Sequence, residues 1–131
     1  MSTFKSTTTI NRPVNEVYQF LADLQNHEQL MPENVEDWKS TYDEASFSIK
    51  NMGNLSLKVK GRVPDREITL IPAQKPPFDI ELKWSLTPGN NDTNVLFTID
   101  ANLNMMMKML ASGPLQKLAD HETQSILSVL S

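Results

Sequence analysis

Val95, Phe97, Ile99, Ala101 and Leu103 alternate with Asn94, Leu96, Thr98, Asp100 and Asn102. Ile80, Leu82, Trp84 and Leu86 alternate in the same way with Asp79, Glu81, Lys83 and Ser85. So do Leu55, Leu57, Val59, Gly61 and Val63 with Ser56, Lys58, Lys60 and Arg62. Successive side chains of a strand point to opposite faces, so this period of two demands an antiparallel sheet with one dry and one wet face. A dry face needs a cover. The last segment supplies it: Ser112 can cap, Pro114 suits a first turn, and Leu115, Leu118, Ala119, Ile126, Val129 and Leu130 share one helical face.

The remaining segments complete the order. Phe4 to Ile10 alternates weakly and is rich in threonine, as a strand would be. In INRPVNEVYQFLADLQNHEQLMP, Asn11 can cap, Pro13 suits a helix start, and Val14, Val17, Tyr18 and Leu21 are spaced for a short amphipathic helix. Leu24, Leu30 and Met31 suggest a second short helix that Pro32 stops. Trp38 to Tyr42 and Ala45 to Ile49 read as a hairpin, NMGN and PGNND as turns, and Ile68 and Leu70 as part of a further strand. The expected class is α+β in one domain, residues 1–131: a curved antiparallel sheet of about six to seven strands, two short helices after the first strand, and a long C-terminal helix packed across the concave face. One helix cannot fill such a concavity, and pockets form in places of that kind.

Several chemistries are excluded by what the chain lacks. It has no cysteine, hence no disulfide, thiolate nucleophile or thiolate metal site. Its net charge of −4 argues against nucleic acid as a partner. The glycines at 53, 61, 89 and 113 form no phosphate loop or dinucleotide fingerprint, and no G-x-S-x-G occurs. No apolar run is long enough for a spanning helix, and the opening MSTFKSTTTI has no leader-like core. The expectations are a cytoplasmic location, no integral membrane association, no metal and no cofactor.

The pattern of Ile10, Pro13, Glu16, Val17, Tyr18, Leu21, Asp23 and Pro32 resembles the amino-terminal signature of the START-like, or SRPBCC, superfamily. The segment DANLNMMMKMLASGPLQKLAD also resembles the entry to the long helix in its small bacterial members. The resemblance spans nearly the whole chain. It implies a helix-grip fold with a tendency toward a hydrophobic cavity. Members of the superfamily bind lipids, sterols, hormones and polyketides, and some are cyclases or dehydratases.

Glu122 stands out because it lies between Leu118 and Ile126, near the middle of the apolar helical face. A carboxylate there must be paired, bonded or protonated. It either offers a ligand one polar contact, or reaches solvent or a hydroxyl such as Ser6 or Thr8. Of the two histidines, His27 lies between the short helices and His121 on the polar flank of the long one; no metal site follows from them. Met105, Met106, Met107 and Met109 cannot all face one core, since three consecutive helical residues span 200°. They read as gap fillers in a short separate helix, as a soft portal that the Ser112-Gly113-Pro114 break lets move, or as a contact patch. Lys58, Lys60 and Arg62 share a wet face with Glu67, Asp79 and Glu81, so cross-strand charge pairs are the simpler account of that basic stretch.

Three functional readings follow. The first is binding of a small hydrophobic or amphipathic molecule, lipid- or polyketide-like, between sheet and helix. Its contacts would be Ser6, Thr8, Trp38, Phe47, Leu57, Val59, Leu82, Trp84, Phe97, Ile99, Met105, Met106, Met109, Leu118, Glu122 and Ile126. The second is an enzyme of the cyclase or dehydratase kind with Glu122 or His27 as acid–base group. The third is a protein-interaction module or homodimer with a filled core. An enzyme requires at least two polar groups converging on one point, which separates the second reading from the first.

Overall fold

A computed structural model describes residues 2–50, 52–76 and 78–130. The order is β1 Ser2–Ile10, α1 Val14–Ala22, a 3₁₀ helix Leu24–Leu30, β2 Val35–Ser40, β3 Glu44–Ile49, β4 Gly53–Val63, β5 Glu67–Pro72, β6 Ile80–Pro88, β7 Thr93–Ala101 and α2 Met105–Leu130. The strands form one antiparallel sheet in the order β1-β7-β6-β5-β4-β3-β2, curled around α2. This is the expected α+β architecture, with seven strands.

The period-two pattern sets the register. Trp84 pairs with Phe97, Leu82 with Ile99 and Leu86 with Val95, all buried on the concave face. Trp84 and Phe97 stack at 4.2 Å and are fully buried. α2 lies along β1, where Gln116 Nε2 donates to the Lys5 carbonyl, Ser6 Oγ bonds Thr123 Oγ1 at 2.7 Å and Arg12 Nε donates to the Leu130 carbonyl.

Local starts depart from the sequence expectation at the two α-helices. The cap position of α1 is Pro13 in an extended conformation, not Asn11, and no side chain caps it. The 3₁₀ helix is capped by Asp23, whose Oδ1 accepts from the Gln25 amide at 2.9 Å. α2 does not begin at Ser112. It begins at Met105, where Asn104 Oδ1 accepts from the Met107 amide at 2.8 Å, and it continues through Pro114. Proline has no N–H to offer the Leu110 carbonyl, but Leu110 is exposed, so that carbonyl is not trapped in the core. The buried face of Ala111, Leu115, Leu118 and Ala119 runs across the proline and holds the helix together there. The methionine turn is therefore the first part of the long helix, not a separate element.

β4 also departs from strict alternation. A bulge lies between Val59, paired with Leu70, and Gly61, paired with Thr69. The extra residue, Lys60, reverses the facing of everything after it. Val63 becomes exposed, and Arg62 pairs with Ile68 on the concave side. There it donates to the Ala22 carbonyl from Nε and Nη2, to the Tyr42 carbonyl and to Asp43 Oδ1, with its guanidinium over the Tyr42 ring. Arg62 thus leaves the wet face and clamps the end of α1 to the β2–β3 turn. Lys60 remains outside and pairs with Glu81 at 3.6 Å, a cross-strand charge pair.

Candidate functional site: a cavity between sheet and helix

Side chains from nearly every element meet around one interior space. The 3₁₀ helix supplies Leu24 and His27; β2 and β3 supply Trp38, Ala45, Phe47 and Ile49; β4 and β5 supply Leu55, Leu57 and Leu70; β6 and β7 supply Ile80, Leu82, Trp84 and Phe97; α2 supplies Leu115, Leu118 and Glu122. Met31, Met52 and Phe78 complete the wall. The free space is about 30 Å³, in the measure by which one water position needs roughly 10–15 Å³.

One end of the wall meets solvent. Met31, Met52, Phe78 and Trp38 are only partly buried, whereas the other described lining residues are all buried. The first three lie in turns gathered at the same end of the sheet. Val35 pairs with Ile49 and the Lys50 amide donates to the Asn34 carbonyl, which brings Met31 and Met52 to one end. The Ala73 amide donates to the Ser56 carbonyl, which starts the loop holding Phe78 beside β4. Trp38 is aimed inward by a bulge in β2 around Asp37, whose φ of 57° is left-handed, and it stacks on Phe47 at 5.2 Å.

Three polar side chains interrupt the apolar lining. His27 is buried, and its Nε2 lies 2.8 Å from the Leu21 carbonyl. A ring nitrogen facing a carbonyl must be the donor, so Nε2 bears the proton and Nδ1 is the acceptor of the neutral ring. Burial pulls the His27 pKa down to about 4, against the opposing effects of the Leu21 bond and the Asp23 charge. Its ring stands edge-on to Trp84, 6.1 Å between centroids. Trp84 Nε1–H is buried with no acceptor among the described residues. Glu122 is 2% exposed, and burial alone pushes its carboxyl well above the usual carboxylate range. Ser6, a candidate partner for Glu122, bonds Thr123 instead.

The sequence candidates divide accordingly. Trp38, Phe47, Leu57, Leu82, Trp84, Phe97, Leu118, Glu122 and His27 are brought together on the cavity wall. Ile99 and Ile126 are buried outside the wall, and Ser6, Thr8 and Val59 are part-buried outside it. Met105, Met106 and Met109 are 82%, 71% and 83% exposed and form an outward stripe with Leu110. The wall residues Met52 and Phe78 lie between strands, where no pattern repeats, and Met31 follows the 3₁₀ helix, so periodicity marks none of the three as a cavity residue. His121 is exposed on α2. Among the described residues no cluster of three or more His, Asp or Glu side chains is arranged to hold a metal. Among them, too, no helix is long and apolar enough to cross a membrane.

No family model matches the chain, and no curated protein matches it by sequence. Solved structures match it in shape. A START superfamily protein from Mycobacterium smegmatis superposes with a TM-score of 0.71 at 14% identity, covering 98% of this chain and 96% of that one. The Aha1 dimer from Colwellia psychrerythraea gives 0.64 at 17% identity, over 99% of this chain and 94% of that one. The di-domain ARO/CYC BexL of the BE-7585A biosynthetic pathway gives 0.65 at 12% identity, over 96% of this chain and 46% of that one. At these identities the likeness concerns the fold, and the fold is START-like.

Proposed function

We propose that this protein binds a small apolar or amphipathic molecule in the cavity between the sheet and α2. One observation supports this above the rest: an apolar cavity with a buried indole N–H and a buried carboxyl in its wall, neither given a partner by the described residues. A merely filled core would pair such groups or replace them, because each costs stability where it stands. The START-like fold and the neighbouring START and ARO/CYC structures support the same reading.

The free volume sets a condition. A guest larger than a few atoms must displace Met31, Met52 or Phe78 at the partly open end. Methionine suits that role, being unbranched and polarisable. Methyl-¹³C-methionine spectra titrated with 1-decanol test the proposal. Met31 and Met52 signals shift while those of exposed Met105 and Met109 stay. A titration that moves only the exposed methionines overturns it.

A second reading has one observation in its favour: His27 and Glu122 share the cavity wall, one an imidazole whose charged form burial disfavours and one a carboxyl that burial pushes above the usual carboxylate range. That pair would suit acid–base work of the cyclase or dehydratase kind. A cytoplasmic location fits a chain without cysteine.

A further inference from the structure

The polar atoms of the cavity restrict what a guest's polar end can be. No lysine or arginine stands among the described residues of the wall. Trp84 Nε1–H can only donate, and it has no acceptor among the described residues. His27 has already committed Nε2–H to the Leu21 carbonyl. Among the described residues of the wall Glu122 is the one carboxyl, buried beside apolar Leu115 and Leu118 of its own helix.

We infer that the guest carries an uncharged oxygen group, a carbonyl or a hydroxyl, and accepts a hydrogen bond from the Trp84 indole. This rests on the ligand-binding reading above and specifies the chemical class. A plain hydrocarbon leaves the indole N–H unpaired. A carboxylate accepts from it, but loses its hydration with no cation in the wall and with the Glu122 carboxyl in the same small space. An ammonium cannot accept at all, and requires Glu122 to ionise where burial opposes ionisation. A neutral oxygen satisfies the indole without bringing in a charge.

The test uses the intact chain and five six-ring probes: cyclohexanone, cyclohexanol, cyclohexane, cyclohexanecarboxylate and cyclohexylammonium at neutral pH. ¹H–¹⁵N spectra show two indole signals, because the chain has two tryptophans. Trp38 Nε1–H already donates to Ser40 Oγ at 2.9 Å, so the Trp84 indole is the donor left open to a guest. The expected result is a downfield shift of the Trp84 indole proton with the ketone and the alcohol but not with cyclohexane. The ketone binds about tenfold more tightly than cyclohexane, the worth of one buried hydrogen bond, and both ions bind more weakly than the ketone. Trp84→Phe removes the ketone's advantage; the wild-type spectra decide the matter even if that variant fails to fold. Equal affinity for ketone and cyclohexane, or tighter binding of either ion, overturns the head-group inference and leaves the binding reading standing. Failure of all five probes to move either indole or the Met31 and Met52 methyls overturns both.

Discussion

Trp84 lies on Phe97 with 4.2 Å between ring centroids and 21° between planes, and both side chains are fully buried. The pair joins β6 to β7 midway along both strands and lines the cavity. Removing one ring leaves a hole that a curled sheet cannot close. Phe97→Ala is expected to cost about 3–5 kcal/mol, read from the urea midpoint. Phe97→Leu is expected to cost less, because it keeps most of the volume. A loss under 1 kcal/mol for the alanine variant would show that the cavity wall relaxes.

Arg62 stands in the same row across the sheet, two strands from Trp84 through Ile68. Its guanidinium makes four hydrogen bonds, two to the Ala22 carbonyl and one each to Tyr42 and Asp43. Lysine cannot reproduce that fork. Arg62→Lys is expected to destabilise by about 1–3 kcal/mol and to speed hydrogen exchange at the end of α1. Asp43→Ala removes only an exposed partner and is expected to cost less than about 1 kcal/mol. Equal losses in the two variants would mean that the ion pair, not the two carbonyls, holds the clamp.

What could be read from the residues depended on whether a pattern repeats. The dry faces of β6 and β7 follow from strict alternation, and the inward Glu122 follows from its place between Leu118 and Ile126 on the wheel. The bulge at Lys60 is a single inserted residue, and an insertion shows in pairing, not in composition. It alone moved Arg62 from the expected wet face to the clamp. The burial of His27 was hidden too, because LQNHEQL is polar in composition and its packing is decided by the distant Trp84. The start of α2 was present in the sequence as Asn104, three residues before Met107. Pro114 gave the stronger local signal of a helix start, but the buried face on both sides of it outweighed that signal.

The two ends of this helix-start problem can be tested on stability. Asn104→Ala removes the side-chain oxygen that caps Met107 and is expected to cost about 1 kcal/mol. Gly113 sits inside α2, and a methyl group added there meets nothing within 4 Å. Gly113→Ala is therefore expected to stabilise by about 0.5–1 kcal/mol, mainly by restricting the unfolded chain. Thermal unfolding of both variants checks the pair. Destabilisation by Gly113→Ala would mean that α2 needs the flexibility of Gly113 beside Pro114.

His27 and Glu122 give stability opposite dependences on pH. The folded-state pKa of His27, about 4, lies below the ordinary value of 6.5, so the unfolded chain binds the extra proton between those limits. The His27 contribution is complete above about pH 6.5 and is lost as pH falls toward 4, on the order of 3 kcal/mol in all. Glu122 is displaced upward, so between its unfolded and folded values the folded chain holds the extra proton. Its contribution is complete below the unfolded value and fades as pH rises toward the folded one. Urea unfolding across pH 4–9 separates the two. Glu122→Gln is expected to gain on wild type progressively as pH rises above the ordinary carboxylate range. His27→Gln is expected to lose the acid-side slope between pH 4 and 6.5. Parallel pH curves for wild type and Glu122→Gln would mean that the Glu122 carboxyl titrates as it does in the unfolded chain.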